Sequence, residues 1–335
     1  MSQLAQNTSL SLPARLLCYL GPPSVILLTT YVSPRTALLS PLAFVPTALC
    51  FRKWLQSNER NPSRRGELEP MLWTYAAAGT LGLAGAGLVQ IVISKGVAAV
   101  LFSSPELRTE FWEEFARSTV AGLTADQLTR RAEIASSWQN WVFNALLTFV
   151  SAGLVEETVK YLPIIYARRR GTPKERGQRN RAYLDYALAS ALSFGLIETI
   201  GYMYVSCESA NEALGKSVLT LIARVVIGQV GHLSIAALTA LRAIRRDYYG
   251  DKLSWWRVVG PSVLLHGTYD FIAMSGSALE GNVGWIQPTG MKIVAVVGLI
   301  TSLVASSLWQ VNKEWKALEI RDQVVKFSED ESIEL

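Results

Sequence analysis

Residues 141–167, WVFNALLTFVSAGLVEETVKYLPIIYA, form a run long enough to cross a bilayer, yet Glu156, Glu157 and Lys160 lie inside it. A spanning helix needs about 20 mostly apolar residues. An ionisable side chain near the bilayer centre costs roughly 2.5–3.5 kcal/mol on insertion scales unless it is paired or wetted. Three such residues within five positions therefore make this either a poor membrane helix or a membrane helix with a polar task.

The rest of the 335-residue chain favours the membrane. Half of its residues are apolar, 18% are charged, and its mean hydropathy is positive. Further apolar runs bounded by charge, glycine or proline lie at 14–32, 34–51, 71–93, 183–206, 217–241, 257–276 and 290–312. The expected fold is all-α, a polytopic transmembrane helical bundle of about eight spans. The stretch 1–33 reads as a retained first helix, because only Arg15 precedes its apolar part and no A-x-A site follows.

Loop charge gives an independent check, since Lys and Arg collect in short cytoplasmic loops. Loop 52–69 carries five basic residues, 168–181 seven and 242–257 five, whereas 207–216 and 277–289 together carry only Lys216. Both termini are thus expected on the cytoplasmic side, with the Asn7-Thr8-Ser9 sequon unglycosylated; the organelle is not specified. The net charge of +5 belongs to these loops, so no nucleic-acid partner is expected. Cys18, Cys50 and Cys207 have no zinc-like or disulfide-like spacing.

The expected organisation is N-terminal spans and a non-cytoplasmic connector over 1–140, a four-helix core over 141–276, a last span over 277–312, and a polar cytoplasmic tail over 313–335. The terminal SEDESIEL is expected to be disordered. Ala78, Gly82 and Ala86 recur every four residues, a spacing suited to close helix packing. Phe111 and Phe115 mark an interfacial helix within the connector.

Intramembrane charge is confined to the second half. Glu156, Glu157 and Lys160 lie on one span, Glu198 on the next, His232 on the third, and His266 with Asp270 on the fourth. Glu157 is 11 residues before Arg168, His232 is 10 before Arg242, and His266 is 9 after Arg257. At 1.5 Å per residue, these three lie about 14–17 Å below the basic edge, in one layer. Lys160 is one turn from both glutamates and reads as their counter-ion, while His266 and Asp270 share a face. Phe194 is expected to pack, and Arg224 either pairs with a carboxylate or reaches the outer interface. A glutamate that takes a proton from water, beside histidines that donate to a developing oxyanion or leaving group, can perform hydrolysis.

EETVK at 156–160, FGLIE at 194–198, His232 and HGTYD at 266–270 resemble the four motifs of the PrsW intramembrane proteases, in order and on successive helices. That family is related to the CAAX-processing and bacteriocin-processing glutamic proteases. The resemblance covers about 141–276. It implies that Glu156 or Glu157 activates water, that Glu198 assists, and that His232, His266 and Asp270 complete the site, with Lys160 and Phe194 supporting. The CAAX-type relatives usually have His in place of Glu198 and Arg in place of Lys160, so prenyl-cysteine substrates are not implied.

The expected function is an intramembrane endopeptidase acting on membrane-anchored proteins, without a cofactor. A zinc ion held by Glu157, His232 and His266 is the second choice of mechanism. Rival readings are a non-catalytic scaffold of the same superfamily and a proton-coupled transporter.

Overall fold

The computed structural model describes residues 10–58, 65–169, 181–208 and 214–333. The sequon at Asn7 and most of the basic loop after Arg169 lie outside these residues. Among the described residues every regular element is helical: α1 Leu12–Val32, α2 Pro34–Ala43, α3 Val45–Asn58, α4 Leu68–Leu101, α5 Pro105–Ala116, α6 Ala125–Ser136, α7 Trp138–Arg169, α8 Ala182–Glu208, α9 spanning 214–248, α10 Trp255–Ala278, and α11 Gly290–Ile333. The protein is a helical membrane bundle. Six helices, α1, α4, α7, α8, α9 and α11, are long and apolar enough to cross a bilayer.

Two expected spans differ from the simple picture. Run 34–51 breaks at Phe44 into α2 and α3, because Pro46 has no N–H to continue the ladder. Run 257–276 is one helix of 24 residues, about 36 Å long. It is not among the six apolar spans: Ser262, His266, Asp270, Ser275 and Ser277 dilute its hydropathy. Neighbouring helices α7, α9 and α11 pack around it instead.

The tail also departs from expectation over its described part, since α11 continues past 312 to Ile333; residues 334–335 lie outside the described residues. Residues 313–333 contain no Gly or Pro and are rich in helix formers. Leu318 is fully buried, Glu314 pairs with Arg245 at 2.7 Å, and Asp322 pairs with Arg181 at 2.7 Å. Those links, with Arg65–Asp185 at 2.9 Å and Arg168–Asp247 at 3.8 Å, gather the basic segments at one end of the bundle.

At the other end, α5 and α6 fold over the bundle. Phe111 is not lipid-facing as the interfacial reading expected: it is fully buried, stacked on Phe102 at 4.1 Å and edge-on to Phe143 at 4.8 Å. Buried Arg131 ties α6 to the turn after α10 through Asn282 Oδ1 at 3.2 Å and the Val283 carbonyl at 2.8 Å. It also pairs with Glu114.

In the core, α8 packs along α9 and α7, and α10 lies against α7 and α9. Three spans contain a π-helical turn, at 78–82 in α4, 147–154 in α7 and 224–228 in α9. A π turn shifts the face presented by the residues that follow it. Two of the three stand just before candidate site residues, Glu156 with Glu157 and His232. Small residues permit the close crossings. The stripe of Ala78, Gly82 and Ala86 faces inward, with both alanines buried and a Cβ at Gly82 set 3.1 Å from Val159. A Cβ at Gly153 would come within 2.9 Å of the Val263 carbonyl on α10.

Candidate functional site

The intramembrane ionisable residues of α7, α8, α9 and α10 meet in one buried cluster. Glu156, Glu157, Lys160, His232 and His266 are each less than 9% exposed. Lys160 is the hub. Its Nζ stands 3.3 Å from Glu156 Oε2, 3.0 Å from Glu157 Oε1 and 3.2 Å from His232 Nδ1. An ammonium has three protons and no acceptor, so His232 accepts through Nδ1 and each proton of Lys160 has a destination. Phe194, wholly buried, places its ring 4.9 Å from that ammonium, a cation–π contact as well as packing.

His232 then turns its other nitrogen to α8, with Nε2 2.8 Å from Glu198 Oε2. Arg224, inside the π turn of α9, donates to the same oxygen at 2.8 Å and lies 4.2 Å from the Tyr202 ring centroid. This resolves its two alternatives in favour of pairing with a carboxylate.

On the opposite side His266 Nδ1 donates to Glu157 Oε1 at 2.8 Å, which sets the imidazole tautomer. His266 Nε2 lies 3.7 Å from Glu156 Oε2 and 3.5 Å from Asp270 Oδ2. The two imidazoles are edge-on, with centroids 5.6 Å apart.

All eight residues singled out in the sequence thus lie in this cluster. One partner was missed: Gln90 of α4 donates from Nε2 to Glu156 Oε1 at 2.9 Å. The N-terminal spans carry no intramembrane charge, and a neutral amide stands out weakly in an apolar run. Its position in LVQIVIS was the available signal, a lone amide among aliphatic residues.

Four carboxylates, those of Glu156, Glu157, Glu198 and Asp270, face two permanent cations, Lys160 and Arg224. Electroneutrality in a dry environment asks for two further protons, shared among the carboxylates and the two imidazoles. Such a cluster holds acid and base at once.

As arranged, the site does not fit a metal. Glu157, His232 and His266 do not converge on a common point: His266 Nδ1 is engaged with Glu157, and both His232 nitrogens are engaged elsewhere. The Lys160 ammonium stands among Glu156, Glu157 and His232, where a cation would be held. Among the described residues no three His, Cys, Asp or Glu side chains are grouped to bind a metal ion.

Comparison with known proteins gives two matches. A family model described as PrsW family intramembrane metalloprotease matches residues 118–305, more than half of the chain. Protease PrsW of Clostridioides difficile (strain 630) is 33% identical over 136 residues, 38% of this chain and 52% of the relative, so the chain spans about half the length of that curated relative. No solved structure matches.

Proposed function

The chain belongs to the PrsW family of intramembrane metalloproteases, and from that premise we propose that it is an endopeptidase that cuts membrane-anchored proteins within the bilayer, using a water activated by Glu156. One observation carries the assignment. His266 Nε2 stands 3.7 Å from Glu156 Oε2 and 3.5 Å from Asp270 Oδ2, so an imidazole and two carboxylates converge where a water seated beside them would have both a donor and acceptors. Glu157 has a different part. It holds the Nδ1 side of His266 and one proton of Lys160, and so orients the imidazole.

In the proposed reaction the water oxygen attacks the scissile carbonyl carbon while Glu156 takes its proton. The same proton is delivered to the amine nitrogen as the C–N bond breaks. Glu198, held by Arg224 and His232, fixes the other wall of the site, and the surrounding low dielectric strengthens each of these contacts. No step is routed through a metal, because the side chains as arranged do not fit one. The basic end of the bundle is taken as cytoplasmic, which puts cleavage in the cytoplasmic half of the bilayer.

The test is cleavage of membrane-anchored candidate substrates by purified protein in lipid, with and without chelator. Glu156→Gln should lose about 10²–10⁴-fold in rate, the usual contribution of a positioned acid or base. Glu157→Gln should be impaired through the orientation of His266. Activity that is lost on chelation would refute the glutamate assignment and require a rearranged ligand set. A wild-type protein that cuts none of the substrates would favour the scaffold reading, and pH-driven solute uptake without cleavage the transporter reading.

A further inference from the structure

A second polar feature lies at the basic end of the bundle, away from the buried cluster. It is a cavity of about 430 Å³ between α9, α10 and α11, lined by Arg242, Arg245, Arg257, Trp256, Leu264 and Glu314 among others. Three guanidiniums face one carboxylate.

Their engagements differ. Arg245 is neutralised, bound to Asp251 at 2.7 Å and Glu314 at 2.7 Å. Arg242 is anchored by Nη1, which donates to the Arg257 carbonyl at 3.0 Å. That carbonyl is available because Pro261, four residues on, has no N–H to offer it. Arg242 Nε is buried without a hydrogen-bond partner; Glu314 Oε1 stands 3.5 Å away. Arg257 is exposed, and among the described residues no carboxylate pairs with it. The cavity therefore presents the free guanidinium of Arg257 beside the partly engaged Arg242, and a guanidinium matches phosphate oxygens in geometry and charge.

The wall below is apolar. Arg257, Gly260, Pro261 and Leu264 follow the i, i+3, i+4, i+7 pattern of one helix face, and all four line the cavity. Leu264 is 62% exposed and lies seven residues, about 10 Å, deeper than Arg257. Trp256, 59% exposed, sits at the rim, as tryptophan does at membrane interfaces.

We propose that this cavity binds the phosphate headgroup of an anionic phospholipid, with an acyl chain running down the Arg257–Leu264 face. Basic pockets between helices at a membrane surface are suited to such headgroups. A free phosphate would satisfy the guanidiniums but not the apolar wall. The site sits on the two helices that carry His232 and His266, and it does not depend on the hydrolytic reading.

The test uses full-length protein in phosphatidylcholine nanodiscs, titrated with phosphatidylglycerol and read by thermal midpoint and by lipid retention in native mass spectrometry. Phosphatidylglycerol should raise the midpoint and remain bound. Arg257→Gln should weaken its retention about fivefold, the effect of one cation near an anionic surface. Arg52→Gln, an exposed cation of α3 outside the cavity, should leave retention unchanged. Equal loss in both variants would overturn the proposal in favour of diffuse surface charge. Equal stabilisation by inorganic phosphate alone, or retention unaffected by Arg257→Gln, would overturn it as well.

Discussion

Gly153 is where the geometry makes its sharpest demand. It lies in the π turn of α7, three residues before Glu156, and a Cβ there would stand 2.9 Å from the Val263 carbonyl and 3.4 Å from the Gly267 amide. Both atoms are α10 backbone and bracket His266, so neither can rotate aside. Since ordinary contact begins near 3.4 Å, Gly153→Ala would force the two helices apart by about 0.5 Å. Overpacking of this kind costs about 1–3 kcal/mol. The same movement would stretch the 2.8 Å bond between Glu157 and His266. A 1 Å misplacement at a reacting centre costs about 10²-fold, so half of that corresponds to about tenfold. Gly153→Ala should therefore melt at a lower temperature in lipid or detergent and cleave a membrane-anchored reporter in proteoliposomes about tenfold more slowly. Gly85→Ala is the control: nothing lies within 4 Å of that position, and the change should leave cleavage intact while favouring the helix by up to about 1 kcal/mol. A Gly153→Ala protein with wild-type melting and cleavage would refute the claim that contact between α7 and α10 positions the site.

Gln90→Leu removes the donor to Glu156 Oε1 and leaves a buried carboxylate oxygen unsatisfied, at a cost of about 1–3 kcal/mol. Cleavage should fall about tenfold at unchanged KM; full kcat would show that Gln90 does not tune Glu156. Arg131→Met leaves Asn282 and the Val283 carbonyl without their donor and Glu114 with Arg117 alone, and buried polar groups left unsatisfied cost about 1–3 kcal/mol. Limited proteolysis should then cut within 105–136 of the variant, and equal resistance would count against the pinning role. Burial pushes the Glu114 carboxyl up, but the Arg117 and Arg131 guanidiniums outweigh it and hold the carboxyl below its usual value of 4.5. Its stabilising share is thus full above about pH 4.5 and lost as the pH falls through the lowered value. The melting difference between wild type and Glu114→Gln should shrink on acidification; a constant difference would contradict this sign.

The sequence by itself determined the membrane class and the polar layer, because both rest on local counting. Run length and hydropathy decide insertion, and distance from the basic loops placed Glu157, His232 and His266 at a common depth whatever their packing. Helical spacing identified Lys160 as the counter-ion of Glu156 and Glu157, since i, i+3 and i, i+4 neighbours meet without help from other elements. The tertiary structure alone decided which helix faces which. The same sequence was compatible with Arg224 at the interface or on Glu198, and only the crossing of α8 and α9 selects the carboxylate. Gln90 was invisible as a partner because a neutral amide has little cost in an apolar run until packing sets it against a charge. The helical tail was equally hidden, since residues 313–323 are polar when read alone and gain Arg181, Arg245 and a buried Leu318 only once α11 lies along the basic end of the bundle.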